Sequence, residues 1–281
     1  MQVILADTAG FCMGVSLALK RLDKLLEQNE DQSPIATLGP IIHNPQVLAA
    51  YAERGVSQID DPDQAQAGST VVIRAHGVPR PAEETLHQRG VYIVDATCPK
   101  VKKAQLLIEE QSEQGKRLLL LGEANHPEVR GLLSYSADDA LVFESLDELE
   151  HGFKPDRESF LAAQTTQDRK VFEAVERWLK ERAPGSTVLE TICDATRIRQ
   201  HEAIAVAKEA DIMVVAGGFN SGNTRRLVKV IRDQGTPCVH VETADQLDAG
   251  DFKNAGIIGL TAGASTPDTI INDIYNTLRS Y

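Results

Sequence analysis

VYIVDATCPKVKKAQLLIEE, residues 91–110, runs from a β-branched and aromatic stretch through a cysteine into a helix-forming stretch that opens on proline. The first six residues read as a strand. Pro99, directly after Cys98, suits a first helical turn, where the missing N–H has no intrahelical partner to lose. The same order recurs on both sides. VILADTAGFCMGVSLALKRL, residues 3–22, centres on Cys12, and TVLETICDATRIRQHEAIAV, residues 187–206, centres on Cys193. Between these segments strand-like and helix-like stretches alternate without a low-complexity linker, which is the α/β pattern with mainly parallel sheets.

The repetition extends beyond the cysteines. Each is followed by a second strand and a polar loop, in IIHNPQ at His43, NHPEVRG at His126 and FNSGNTRR at Ser221. A strand ending in acidic residues comes next (VSQIDDPDQ, LVFESLDEL, CVHVETADQL), then another strand and polar loop, at His76, Thr165 and Ser265. Three pseudo-equivalent α/β units follow, with residues 13–96, 97–192 and 193–281 as their expected bounds. If VYIVDA completes the first sheet and TVLET the second, the N-terminal strand within residues 1–12 completes the third, and the chain closes like a ring.

In parallel α/β units ligands gather at the carboxyl ends of strands. Cys12, Cys98 and Cys193 sit there, whereas Cys238 starts a strand and reads as a core residue. No CxxC pair exists, which removes the usual zinc-ribbon and thioredoxin readings. Three converging thiolates suit zinc or an iron–sulfur cluster; three cysteines on a [4Fe–4S] cluster leave one iron open to substrate. The polar loops fall where helices start. Helix capping accounts for Thr165, Ser221, Asn223 or Ser265 taken singly, but together with His43, His76 and His126 they form the donor set of an anion pocket. Glu128 is the only carboxylate immediately inside these loops and is the candidate proton relay.

The net charge of −12 argues against non-specific nucleic-acid or anionic-membrane binding. The longest apolar runs, such as Leu118 to Leu121, are far too short to span a bilayer. No basic segment followed by a long apolar run opens the chain, so a cytoplasmic location is expected.

Nine segments in order, GFCMGV, TLGPIIHNP, RAHGV, DATCP, NHPEVRG, AQTTQ, ICDATRIRQ, NSGNTRRL and TAGASTPD, resemble the signatures of the LytB/IspH family of 4-hydroxy-3-methylbut-2-enyl diphosphate reductases. The resemblance runs the length of the chain. It implies three α/β units around a central [4Fe–4S] cluster on Cys12, Cys98 and Cys193. It implies a diphosphate held by His43, His76, Ser221, Asn223 and Ser265, and a substrate hydroxyl handled near His126, Glu128 and Thr165, with Glu128 as proton source. Many members carry two serines where this chain has Ser221-Gly222, so Gly222 contributes only its backbone N–H. The implied reaction is the reductive dehydroxylation that yields isopentenyl and dimethylallyl diphosphate, the last step of the methylerythritol phosphate route.

No second cluster motif or flavin fingerprint appears, so a ferredoxin or flavodoxin is the expected electron donor. Two other classes compete. A non-catalytic iron–sulfur sensor or electron carrier needs no diphosphate pocket. A metal-dependent diphosphate hydrolase wants several carboxylates, and only Glu128 occupies a loop station.

Overall fold

Three four-stranded, wholly parallel sheets organise the computed structural model, which describes residues 1–137 and 139–281. In one sheet the order is β3-β2-β4-β5, from β2 (Ile35–Leu38), β3 (Val56–Ile59), β4 (Thr70–Ile73) and β5 (Tyr92–Asp95). A second runs β7-β6-β8-β9, from β6 (Arg117–Leu121), β7 (Leu141–Phe143), β8 (Ser159–Ala163) and β9 (Thr187–Val188). The last runs β1-β12-β10-β11, from β1 (Gln2–Leu5), β10 (Ile212–Ala216), β11 (Cys238–Val241) and β12 (Ile257–Ala262). β1 lies along β12 with Gln2 opposite Ile257 and Leu5 opposite Leu260.

Helices cover the sheets because central parallel strands are apolar on both faces. In β10, Ile212, Val214 and Ala216 enter one core with Phe252, Ile270 and Ile274. The intervening Met213 and Val215 enter another with Ala203, Leu227 and Ile231. β6 divides likewise: Leu119 and Leu121 pack with Phe172 and Val175, Leu118 and Leu120 with Ile108 and Leu132.

The stretch TVLET is ordered as a strand over Thr187 and Val188 alone. Leu189 continues the ladder with one bond, its N–H donating to Leu161 O at 2.8 Å. Beyond it a side chain replaces the backbone. Thr191 Oγ1 accepts from Ala163 N and donates to Ala163 O, both at 2.7 Å.

Contacts within the chain divide it into two compact units. Met1–Val15, His43–Ala49 and Asp194–Tyr281 form a terminal unit; Ser16–Ile42 and Ala50–Cys193 form a central unit.

Gly259 marks a close approach of β12 to its neighbouring strand and helix in the terminal unit. A Cβ there would lie 2.2 Å from Met213 Sδ, 2.7 Å from Val206 Cγ1 and 3.2 Å from Ala210 Cβ. Gly259→Ala is therefore expected to cost about 1–3 kcal/mol through overpacking. The denaturant midpoint, at unchanged slope, measures it.

Candidate functional site

Each of the three repeat cysteines is the residue immediately before a helix. Cys12 precedes α1 (Met13–Gln28), Cys98 precedes the helix Pro99–Glu113, and Cys193 precedes the helix Asp194–Glu209. Their backbone N–H groups make the same bond. Cys98 N donates to Ala75 O at 2.9 Å, Cys193 N to Thr165 O at 2.9 Å and Cys12 N to Ala264 O at 3.1 Å. The three acceptors occupy the second position of equivalent turns, closed by Gly77 N to Arg74 O, Gln167 N to Gln164 O and Thr266 N to Gly263 O. His76 and Ser265 hold the third position of their turns, so their counterpart is Thr166. Thr165 stands one place earlier, a register the loop sequences alone leave open.

In the terminal unit the loop residues gather around His43. Its carbonyl accepts from Ser265 Oγ at 3.1 Å, and a Cβ on Gly218 would come within 2.7 Å of that same oxygen. Ser221 caps the helix Gly222–Arg232, its Oγ accepting from Thr224 N at 3.4 Å. Ser221, Gly222, Asn223 and Ser265 are all buried. Asn223 Nδ2 finds no hydrogen-bond partner among the described residues. A buried donor of this kind is costly to leave unmet, and at a helix N-terminus it suits an anion's oxygen.

The central unit carries the acid. His126 caps the helix Pro127–Leu133, with Nδ1 accepting from Glu128 N at 3.1 Å. The neutral ring then holds its proton on Nε2. His76 meets His126 edge-to-face, with centroids 5.4 Å apart. Glu128 is 1% exposed. Its Oε1 accepts from Thr165 N at 2.6 Å and its Oε2 from Thr165 Oγ1 at 3.0 Å. Burial pushes the Glu128 carboxyl up to about 7, outweighing the two Thr165 hydrogen bonds, which favour the ionised form. The group is an acid poised near neutrality.

The thiols differ in kind. Cys12, Cys98 and Cys193 each stand partly exposed directly before a helix. Cys238 packs against the core containing Met213 and Ile231, and burial pushes its thiol up to about 11. A trio of soft donors in one repeated setting fits an iron–sulfur cluster; Cys238 does not belong to that set.

Two residues escaped the sequence reading. Arg199, 4% exposed, donates to Ala262 O and Gly10 O, and Glu202 accepts from the N–H groups of Asp7 and Thr8. The signal was present in ATRIRQHEA, where charged residues fall on the helix face that buries Thr196 and Ala203.

The family model described as LytB protein matches residues 3–279. A 4-hydroxy-3-methylbut-2-enyl diphosphate reductase of Nitratidesulfovibrio vulgaris (strain DP4) is 59% identical, with all of both chains covered. One of Aquifex aeolicus is 38% identical over 99% of this chain and 96% of its own. Among solved structures, the E-1-hydroxy-2-methyl-but-2-enyl-4-diphosphate reductase from Plasmodium falciparum is similar with a TM-score of 0.94 at 27% identity. It is matched over 99% of this chain and 87% of that one.

Proposed function

The chain belongs to the LytB protein family, and on that footing we propose that it reduces 4-hydroxy-3-methylbut-2-enyl diphosphate to isopentenyl and dimethylallyl diphosphate. This is the last step of the methylerythritol phosphate isoprenoid route. Two electrons and two protons enter, the allylic carbon–oxygen bond breaks, and the hydroxyl leaves as water. The observation that carries the reading is the buried Glu128–Thr165 pair, an acid half-protonated near neutral pH. Hydroxide is a poor leaving group, and Glu128 supplies the proton that makes it water. Thr165 orients that carboxyl, and His126 caps the helix that carries it.

Cys12, Cys98 and Cys193 would hold a [4Fe–4S] cluster, which when bound delivers the electrons one at a time and offers one iron without a thiolate. His43, His76, Ser221, Gly222, Asn223 and Ser265 would hold the diphosphate. The unmet Asn223 Nδ2 and the α-helical N-terminus behind it support this assignment. The recurring cysteine-to-turn hydrogen bond supports three α/β units at 13–96, 97–192 and 193–281 with 1–12. A ferredoxin or flavodoxin is the donor we propose, in the cytoplasm. Among the described residues no helix is long and apolar enough to cross a membrane. A non-catalytic cluster protein would have no use for a buried carboxyl whose pKa burial raises to about 7.

Anaerobically purified protein should be brown and should convert the allylic diphosphate in the presence of an artificial one-electron reductant. A colourless protein that turns over the diphosphate would overturn the reading. Asn223→Ala removes a hydrogen bond to a charged group, a loss of roughly 1.5–3 kcal/mol, so substrate affinity should fall about tenfold to a hundredfold by calorimetry.

A further inference from the structure

We infer that Arg199 and Glu202 are positioning residues for Cys12, a clamp by which the helix after Cys193 holds the loop that presents Cys12. The helix Asp194–Glu209 starts one residue past Cys193. From its second turn, Arg199 donates through Nη1 to Ala262 O at 2.8 Å and through Nη2 to Gly10 O at 3.0 Å. One turn on, Glu202 accepts from Asp7 N at 2.7 Å, from Thr8 N at 2.9 Å and from the Thr8 hydroxyl. Three backbone groups of the 7–10 loop thus end on two charged side chains. Charge-assisted hydrogen bonds are the stronger kind.

The loop needs such support. β1 is an edge strand, paired only with β12, and both its end residues are exposed. Past it the chain turns through Gly10 at φ +100°, where a Cβ would sit 3.0 Å from Asp268 Oδ1. The other two cysteine approaches are held differently. Arg21 of α1 donates to Asp95 O ahead of Cys98. Leu189, ahead of Cys193, packs against the core of Ala104 and Ile108. The helix after each cysteine therefore holds the approach to the next, and the approach to Cys12 is held by charged groups of both signs. Groups behind a metal ligand fix its aim and its hold on the metal. Cys12 is then the ligand whose grip depends on two side chains outside the site.

The inference rests on Cys12, Cys98 and Cys193 being cluster ligands as proposed above. Two variants test it, Glu202→Gln, which keeps one carbonyl acceptor and the shape, and Arg199→Lys, which keeps the charge but not the fork. In cluster-loaded protein under anaerobic conditions, alkylation by iodoacetamide is followed at each cysteine by mass spectrometry. Hydrogen exchange over residues 7–12 is followed in metal-free protein. Cys12 alkylation is expected to rise about tenfold or more in both variants, as loss of a charged hydrogen bond implies. Cys98 and Cys193 should keep the parent rate, and the 7–12 amides should exchange faster. Parental Cys12 reactivity, or an equal rise at all three cysteines, overturns the clamp. A parent protein that takes up no iron sinks the functional reading instead, and the exchange measurement then decides the clamp alone.

Discussion

Glu128→Gln is expected to keep its cluster and bind substrate while kcat falls by about a hundredfold to ten-thousandfold, the span that general acid catalysis contributes. Glutamine preserves the shape: its one carbonyl oxygen can still accept from Thr165 N, and its amide NH2 can donate to Thr165 Oγ1 in place of the bond the carboxylate accepted, yet it has no acid proton to give. The pH dependence carries the same signature. With the carboxyl at about 7, the parent loses its proton donor as pH rises through neutrality, so kcat should decline on that limb. The residual activity of the variant should lack it. Stability moves the other way in the comparison. The folded-state value lies above the ordinary 4.5, so the parent's contribution from this group is fully present below about 4.5 and is lost as pH rises through 7. The glutamine variant should therefore gain in relative denaturation midpoint above neutral pH. Iron content, calorimetric affinity and kcat separate the outcomes: near-parental kcat assigns the proton elsewhere, and loss of iron makes Glu128 a structural residue.

Replacing any one of Cys12, Cys98 and Cys193 by serine is expected to abolish the visible charge-transfer band and most bound iron, whereas Cys238→Ser should leave both intact. The three occupy one setting, with a helix start behind the thiol and a backbone N–H tied to a turn carbonyl. A serine there keeps the backbone bond and loses only the soft donor, so the effect reads ligation rather than folding. Cys238 lies against the core with its thiol held protonated to about 11, the wrong state for a metal ligand. Bleaching by Cys238→Ser, or an unaltered spectrum for one of the other three, would sink the ligand set.

The three parallel sheets were legible because the sequence states each strand twice over, by β-branched composition and by its place in a repeated order. Central strands such as LLLL of β6 and IMVVA of β10 bury both faces and read as unbroken apolar runs. TVLET read as a full strand because its composition matches VYIVDA. Composition does not reveal that Thr191 ends the ladder by offering its hydroxyl in place of the main chain. The loops announced themselves through histidine, serine and proline at helix starts, but their exact register did not. One residue's offset separates Thr165, whose hydroxyl is committed to Glu128, from Thr166, the positional partner of His76 and Ser265. Arg199 and Glu202 stayed hidden for another reason. Most of their partners are main-chain groups, those of the 7–10 loop nearly two hundred residues away in sequence, and a backbone donor or acceptor has no letter of its own.

The pairing of β1 with β12 has a temporal consequence during synthesis. β1 is made first and its neighbour almost last, so the opening strand must wait, unpaired, while nearly the whole chain emerges. Pairings of such sequence separation are slow to form because loop closure precedes any gain in contact energy. The Cys12 loop receives its turn partner Ala264 later still. Two cysteines can be framed on a nascent chain whose third is not, so a carboxyl-terminal truncation that reaches β12 or Ala264 is a lesion at the amino terminus.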